Sequence, residues 1–313
     1  MAAEQILVIR HGALGDLVQS TGPFKAIRAH HPKARITLLT APAFAMFMHA
    51  CPWFDQVWQD HRPHWYQFRD WLHLRRRLRG ARFARVYDLQ TSSRSSLYFR
   101  AFPSGYFGTR RPDWSGIAPG ASLPHDNPDR DLMHTLDRQA EQLAMAGVTE
   151  VPAPDLDWVK ADTARFALQP PYALVVPGGS VHRPAKRWPA DYYLELCQRL
   201  LAAGIQPVLI GGRDEIHLTG VLAAQCPGTR DLADQTSIED LAVLARDATL
   251  AVGNDTGPMH VAAVAGAPSM VLFSAESDPD LCAPRGARVA TLRENDLAAL
   301  TVDRVWDSIA DGL

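Results

Sequence analysis

The chain has 313 residues, a near-neutral formal charge of −2, and an even mix of apolar and polar residues typical of a soluble globular protein. That length exceeds what one hydrophobic core usually serves, so two domains are expected. The weak net charge argues against general nucleic-acid binding, and any anion site must come from local placement of Arg and Lys.

The four cysteines, Cys51, Cys197, Cys226 and Cys282, include no Cys-x-x-Cys pair. This fits a reducing cytoplasm and argues against a zinc site. No apolar run is long enough to span a bilayer, and Gln5 to Arg10 is too short for a signal core. A cytoplasmic protein, soluble or peripheral, is expected.

Gln5 to Arg10 (QILVIR) reads as a buried strand, followed by a glycine turn, His11-Gly12-Ala13-Leu14-Gly15-Asp16, and a helical segment from Leu17 to His30. These glycines match neither Gly-x-Gly-x-x-Gly nor a Gly-Lys-Ser/Thr ending, which weighs against a dehydrogenase or an NTPase. Asp16 stands at a helix start. It is either a cap or a general base that takes the proton of an attacking hydroxyl. Strands at Arg35 to Thr40, Gln56 to Trp58 and Val86 to Leu89 alternate with helical stretches, the doubly wound pattern.

Between them, His61 to Arg85 carries Trp65, Tyr66, Phe68 and Trp71 among many arginines. An amphipathic helix with its aromatics inward competes there with a face for an anionic or lipid-anchored acceptor. Gln90 to Ser96 reads as a polar loop whose hydroxyls and Arg94 could meet a polyhydroxylated acceptor. Tyr98 to His125 reads as irregular, and Asp131 to Ala146 as a helix ended by Gly147. Pro152 and Pro154, within Thr149 to Asp157, mark a boundary that divides the chain into residues 1–152 and 153–313.

The second half opens with a strand, Tyr172 to Val176, and the loop Pro177-Gly178-Gly179-Ser180, with Lys186 and Arg187 just before a helix from Pro189 to Ala203. Loop donors with a Lys suit a diphosphate. A strand at Gln206 to Ile210 leads to Gly211-Gly212-Arg213-Asp214-Glu215, where either acidic residue could bind a ribose diol or cap a helix. The stretch GNDTGPMHVAAVAGAP from Gly253 follows the apolar run Leu250 to Val252 and reads as strand, tight loop and small-residue helix. Thr256 or Asp255 could cap this helix, Gly257 allows a ligand close to the backbone, and His260 falls in the first turn. Asp255 repels phosphate, so capping or sugar hydroxyls are its expected partners. The pairs Asp129/Asp131, Asp155/Asp157 and Asp278/Asp280 have metal-binding spacing, but Pro279 makes the last pair a turn and cap.

Taken together, ILVIRHGALGDLVQSTGPFKAIR from Ile6, PGGSVHRPAKRWP from Pro177, IGGRDE from Ile210 and GNDTGPMHVAAVAGAP from Gly253 resemble glycosyltransferase family 9, the lipopolysaccharide heptosyltransferases. The resemblance implies an α/β fold of the GT-B type: two facing Rossmann-like domains, each with a parallel sheet, and a cleft between them. The first would bind the acceptor, the second the nucleotide sugar.

By analogy Asp16 looks like the base, in a loop shaped by Gly12 and Gly15, and Lys186, helped by Ser180 and Arg187, would neutralise the leaving diphosphate. Asp255, Thr256, Gly257 and His260 would hold sugar hydroxyls and phosphates, and Asp214 or Glu215 the adenosine ribose. Family members generally transfer from ADP-heptose with inversion and without a metal, so no cofactor beyond that co-substrate is expected. The expected acceptor is an anionic glycan or glycolipid, with peripheral contact at the cytoplasmic face of the inner membrane. The loop after Phe273 departs from the family, reading Ser-Ala-Glu-Ser-Asp-Pro where Gly-Pro-Thr-Asp-Pro is commoner. Two competing functions keep parts of this picture: a nucleotide-sugar hydrolase or epimerase on the same fold, and a non-catalytic binding protein.

Overall fold

The computed structural model describes residues 3–64, 66–102, 111–180 and 182–312. Trp65, Val181 and residues 103–110 of the stretch read as irregular lie outside them. The chain divides into two compact units, Met1–Ala153 and Pro154–Leu313.

Unit one contains strands β1 (Gln5–Ile9), β2 (Arg35–Thr40), β3 (Gln56–Gln59), β4 (Arg85–Asp88), β5 (Asp113–Gly116) and β6 (Leu123–Pro124). Its helices are α1 (Leu14–Gln19), α2 (Thr21–His30), α3 (Pro42–His49), α4 (Phe68–Gly80), α5 (Ser93–Ala101) and α6 (Thr135–Met145). All strand pairs are parallel, in the order β3-β2-β1-β4-β5-β6. Helices cover both faces of such a sheet, so its central strands are apolar throughout rather than alternating. The side chains of Ile6 to Ile9 are accordingly fully buried.

Unit two repeats this plan with β7 (Tyr172–Val176), β8 (Gln206–Leu209), β9 (Arg230–Asp231), β10 (Leu250–Asn254), β11 (Ser269–Phe273) and β12 (Val289–Arg293). Helices α7 (Ala190–Ala202), α8 (Ile216–Gln225), α9 (Ile238–Asp247), α10 (Gly257–Ala265), α11 (Pro279–Cys282) and α12 (Val302–Gly312) complete it. The parallel order β12-β11-β10-β7-β8-β9 is the first sheet's order in mirror listing. In each unit the first and fourth strands are therefore neighbours at the centre, β1 with β4 and β7 with β10. Strand order reverses there, and the crevice beyond the carboxyl ends of such a strand pair is where open α/β sheets bind ligands. Gly253 lets β10 lie tight against β7, because a Cβ there would come 2.6 Å from the Val176 carbonyl oxygen.

Several sequence expectations are corrected. Residues 90–96 are not a continuous loop: α5 starts at Ser93, because Ser92 and Ser95 form a reciprocal capping box in which Ser92 Oγ accepts from the Ser95 N–H and Ser95 Oγ from the Ser92 N–H. Arg94 thus stands in a helical first turn. The stretch read as irregular contains the end of α5 and the strands β5 and β6. The helix read from Asp131 is a short 3-10 turn, Arg130–Leu132, followed by α6 from Thr135. In α4 the inward residues are Leu74 and Leu78, whereas Tyr66 and Phe68 are exposed, so the expectation of inward aromatics fails for both.

Candidate active site

In unit one, the turn after β1 brings Asp16 to the third position of α1. Gly12 adopts a φ of 127° in this turn, and a Cβ there would meet the Phe44 ring at 2.4 Å, so the turn needs glycine twice over. Gly15 is buried within α1. The Asp16 carboxylate is held at both oxygens: Oδ2 accepts from the Ala13 N–H at 3.2 Å and Oδ1 lies 3.0 Å from Arg10 Nη2. Its side chain is nonetheless 46% exposed, so it combines a fixed orientation with access to a substrate. Asp16 thus closes the helix start from its third position and leaves part of its carboxylate accessible.

Behind this turn lie two buried carboxylates that sequence reasoning did not single out. Asp88, at the end of β4, is fully buried and accepts from the Gln90 and Thr91 N–H groups. Burial raises its carboxyl to about 7, outweighing those bonds, a bond to Ser95 and the nearby Arg10 charge, all of which lower it. Asp60 lies 2.8 Å from His11 Nε2 and accepts from the Tyr98 hydroxyl at 2.5 Å. Burial alone would raise Asp60 as well, yet the His11, Tyr98 and Arg62 N–H contacts hold it below the ordinary carboxylate value. Arg94 does not join Asp16: its Nη1 donates to the Pro63 carbonyl at 3.2 Å, and its guanidinium stands 5.9 Å from the Trp71 ring. A cavity of about 480 Å³ opens beside β3 and α4, lined among others by Asp60, His61, Asp70, His73 and Arg77.

The raised value of Asp88 makes a pH prediction. The native chain keeps a proton that an unfolded carboxyl, titrating near pH 4, has already released. The stability this contributes is complete at low pH and is lost as pH rises from about 4 through about 7. Asp88→Asn is neutral throughout, so its stability should gain on that of the parent across this window, by up to a few kcal/mol at about 1.4 kcal/mol per pKa unit, read as a thermal midpoint that rises relative to the parent's. A difference in midpoint that stays flat with pH would refute the assignment.

In unit two, the loops after β7 and β10 meet. Asn254, fully buried, ties them: its Oδ1 accepts from the Trp188 N–H and the Tyr193 hydroxyl, and its Nδ2 donates to the carbonyls of Pro177 and Gly178. Four hydrogen bonds leave this amide satisfied, and they set the loop from Pro177 to Ser180 beside the start of α10. Next to it, Asp255 accepts from Lys186 Nζ at 2.6 Å and from Ser277 Oγ at 2.8 Å, and its Oδ1 lies 3.8 Å from His260 Nε2. Burial would raise the Asp255 carboxyl, but His260, Lys186 and Ser277 together hold it far below the usual range. Ser277 comes from the loop after β11, which the Asp255 contact ties to the start of α10.

Thr256 occupies the N-cap position of α10 without a side-chain cap bond, and Asp255 faces Lys186 instead of the helix. The expectation that one of them caps α10 through its side chain is therefore corrected. Gly257 and Pro258 form the first turn, and His260 is nearly buried in the same turn. Arg187 donates to the Gly179 carbonyl at 2.6 Å and stands 3.7 Å from Glu215.

The two acidic residues at 214 and 215 stand in different surroundings. Glu215 Oε2 accepts from the Gly212 N–H, and its side chain fills the space that a Cβ on Gly178 or Gly211 would need, so it packs against the central loop. Asp214 is exposed and outside this cluster. Ser180 is exposed at its edge. No group of three or more His, Cys, Asp or Glu side chains arranged to hold a metal occurs among the described residues. Asp278 accepts from the Asp280 N–H, the turn-and-cap arrangement.

Two sheets of this order, each with its candidate residues at the strand-order reversal, define the α/β fold of the GT-B glycosyltransferases. Residues 71–304 match glycosyltransferase family 9 (heptosyltransferase), and the chain belongs to that family and is a glycosyltransferase. It is 28% identical to lipopolysaccharide heptosyltransferase 2 of Salmonella typhimurium, over 92% of this chain and 88% of that protein. The E. coli protein of the same name is 27% identical over 92% of this chain and 88% of its own length. In fold, the chain is similar to E. coli ADP-heptose lps heptosyltransferase II with a TM-score of 0.77, at 22% identity, covering 98% of this chain and 97% of that one.

Proposed function

We propose that this glycosyltransferase moves a heptose, or a close relative, from an ADP-sugar to an anionic lipopolysaccharide-type acceptor, with inversion and without a metal. The carrying observation is the Lys186–Asp255 ion pair placed at the first turn of α10. It supports a diphosphate site, because an ammonium group has three N–H donors and only one is spent on Asp255. The Asp255 contact fixes Lys186 beside a helix N-terminus, where the aligned peptide dipoles also favour anions.

In the reaction, Asp16 takes the proton of the acceptor hydroxyl while that oxygen attacks the anomeric carbon from the face opposite ADP. The bond from the anomeric carbon to the diphosphate oxygen breaks, and its electron pair stays on the phosphate. Lys186 and the amides opening α10 stabilise the charge that develops there, and the sugar passes through an oxocarbenium-like state. Arg187, Ser180, Thr256, Gly257 and His260 surround the phosphates and sugar hydroxyls, and Glu215 serves the ribose better than the exposed Asp214. On the acceptor side, the solvent-facing arginines of α4 favour an anionic glycan. The exposed Tyr66 and Phe68 favour peripheral contact with the inner membrane from the cytoplasm, and among the described residues no helix is long and apolar enough to cross it.

A thermal-shift panel tests the donor. A ligand at about one hundred times its Kd stabilises by about 2.7 kcal/mol, a shift of several degrees. ADP and ADP-heptose should give it, and UDP-, GDP- and CMP-sugars should not. A preference for any of those three would overturn the donor assignment.

A further inference from the structure

We propose that Arg10 is a positioning residue for the reaction: by bridging the Leu89 carbonyl and Asp16, it fixes the carboxylate that accepts the acceptor's proton. The inference rests on the reading of Asp16 as the base, and its test separates the two.

Arg10 is a buried cation at the carboxyl end of β1. Nη1 donates to the Leu89 carbonyl at 2.6 Å and Nη2 stands 3.0 Å from Asp16 Oδ1, while Nε has no hydrogen-bond partner among the described residues. A guanidinium taken out of water is costly unless its donors and charge are matched. Here the matching consists of one backbone oxygen and the Asp16 carboxylate. Leu89 follows β4 directly and Asp88 ends it, so the anchor belongs to the rigid centre of the sheet rather than to the mobile part of a loop. Asp16, by contrast, sits in a six-residue helix after a glycine turn, and its other oxygen is held only by the Ala13 N–H of that same turn.

Arg10 is therefore the link that transfers the position of the sheet to the carboxylate. The planar fork makes two contacts in fixed relation, which a lysine cannot reproduce with one ammonium. A purely structural Arg10, serving only to join β1 to β4 through Leu89, would not require its second arm to end on an accessible carboxylate.

The test uses the full chain and steady-state transfer, with kcat and the KM of donor and acceptor measured separately. Arg10→Met should lower kcat by about 10²-fold, the scale of a misplaced catalytic group, with donor KM changed by less than about threefold. Arg10→Lys keeps charge without the fork and should recover about one order of magnitude. In an Asp16→Asn background, Arg10→Met should change residual activity by less than about twofold, since groups acting as a unit are not additive.

If Arg10→Met unfolds, as circular dichroism would show, Arg10→Lys decides alone: a kcat at the wild-type level overturns the proposal, and a loss of about tenfold at unchanged donor KM sustains it. Asp16→Asn that is inactive together with an Arg10→Met that keeps wild-type kcat refutes the positioning role and leaves the base intact. Asp16→Asn at wild-type rate refutes the base reading itself.

Discussion

Asp16→Asn is expected to reduce transfer by about 10³-fold or more while the affinity for the nucleotide is kept. A positioned general base supplies about 10² to 10⁴ in rate, and here orientation adds to it. Asparagine retains an oxygen for the Ala13 N–H or for Arg10, so the turn and α1 should survive the change. What it loses is the ability to take a proton. Because Asp16 lies in unit one and Lys186, Asp255 and His260 in unit two, a thermal shift with ADP should be the same in variant and parent. A variant that transfers at the parent's rate would show that another group is the base. A variant that loses ADP binding would show that Asp16 serves the donor.

Lys186→Met should produce the second large effect, with a different signature. Removing one preorganised donor from a developing anion typically costs about 10² to 10³ in kcat, and donor binding should weaken as well because the ground-state diphosphate loses its cation. The same change leaves Asp255 buried without its ion-pair partner, although Ser277 and His260 remain near it. Breaking a buried pair from one side costs about 3–5 kcal/mol in the fully buried limit, and the retained hydroxyl bond should keep this case toward the lower figure. Chemical denaturation should therefore show a clear loss for Lys186→Met. The double variant Lys186→Met with Asp255→Asn should recover part of that stability and none of the activity. Recovery of activity in the double variant would mean that Asp255, not the phosphate, is the reason Lys186 is present.

The parts of this site legible in the sequence were those written in consecutive residues. Strand, glycine turn and helix from Gln5 onward, and the same grammar at Leu250 to Ala265, place loops at the carboxyl ends of strands by local pattern alone, and both patterns correspond to elements in the fold. The groups that matter next were invisible, because they come together only when distant strands pair. Arg10 reaches Leu89 because β1 lies beside β4, and Asn254 reaches Pro177 because β10 lies beside β7. Nothing in a single segment announces such a neighbour.

Other misses have local causes. Ser92 to Ser96 looked like a loop because serines favour turns, yet a serine at the N-cap with another three residues on is also how a helix begins. The strands β6 and β9 have two residues each, too few for periodicity to reveal them, and β5 (DWSG) lacks the apolar run that marks other strands of its length. Side-chain capping of α10 by Asp255 fails because its carboxylate meets Lys186, which sits 69 positions away in sequence.

The most direct measurement is ADP release from ADP-heptose by the purified chain, with and without a heptose-deficient lipopolysaccharide acceptor, followed by mass and anomeric analysis of the product. The account predicts release that depends on the acceptor, one heptosyl unit added per ADP, and an anomeric configuration opposite to that of the donor. ADP release at the same rate without acceptor, or a product that keeps the donor's configuration, would contradict it.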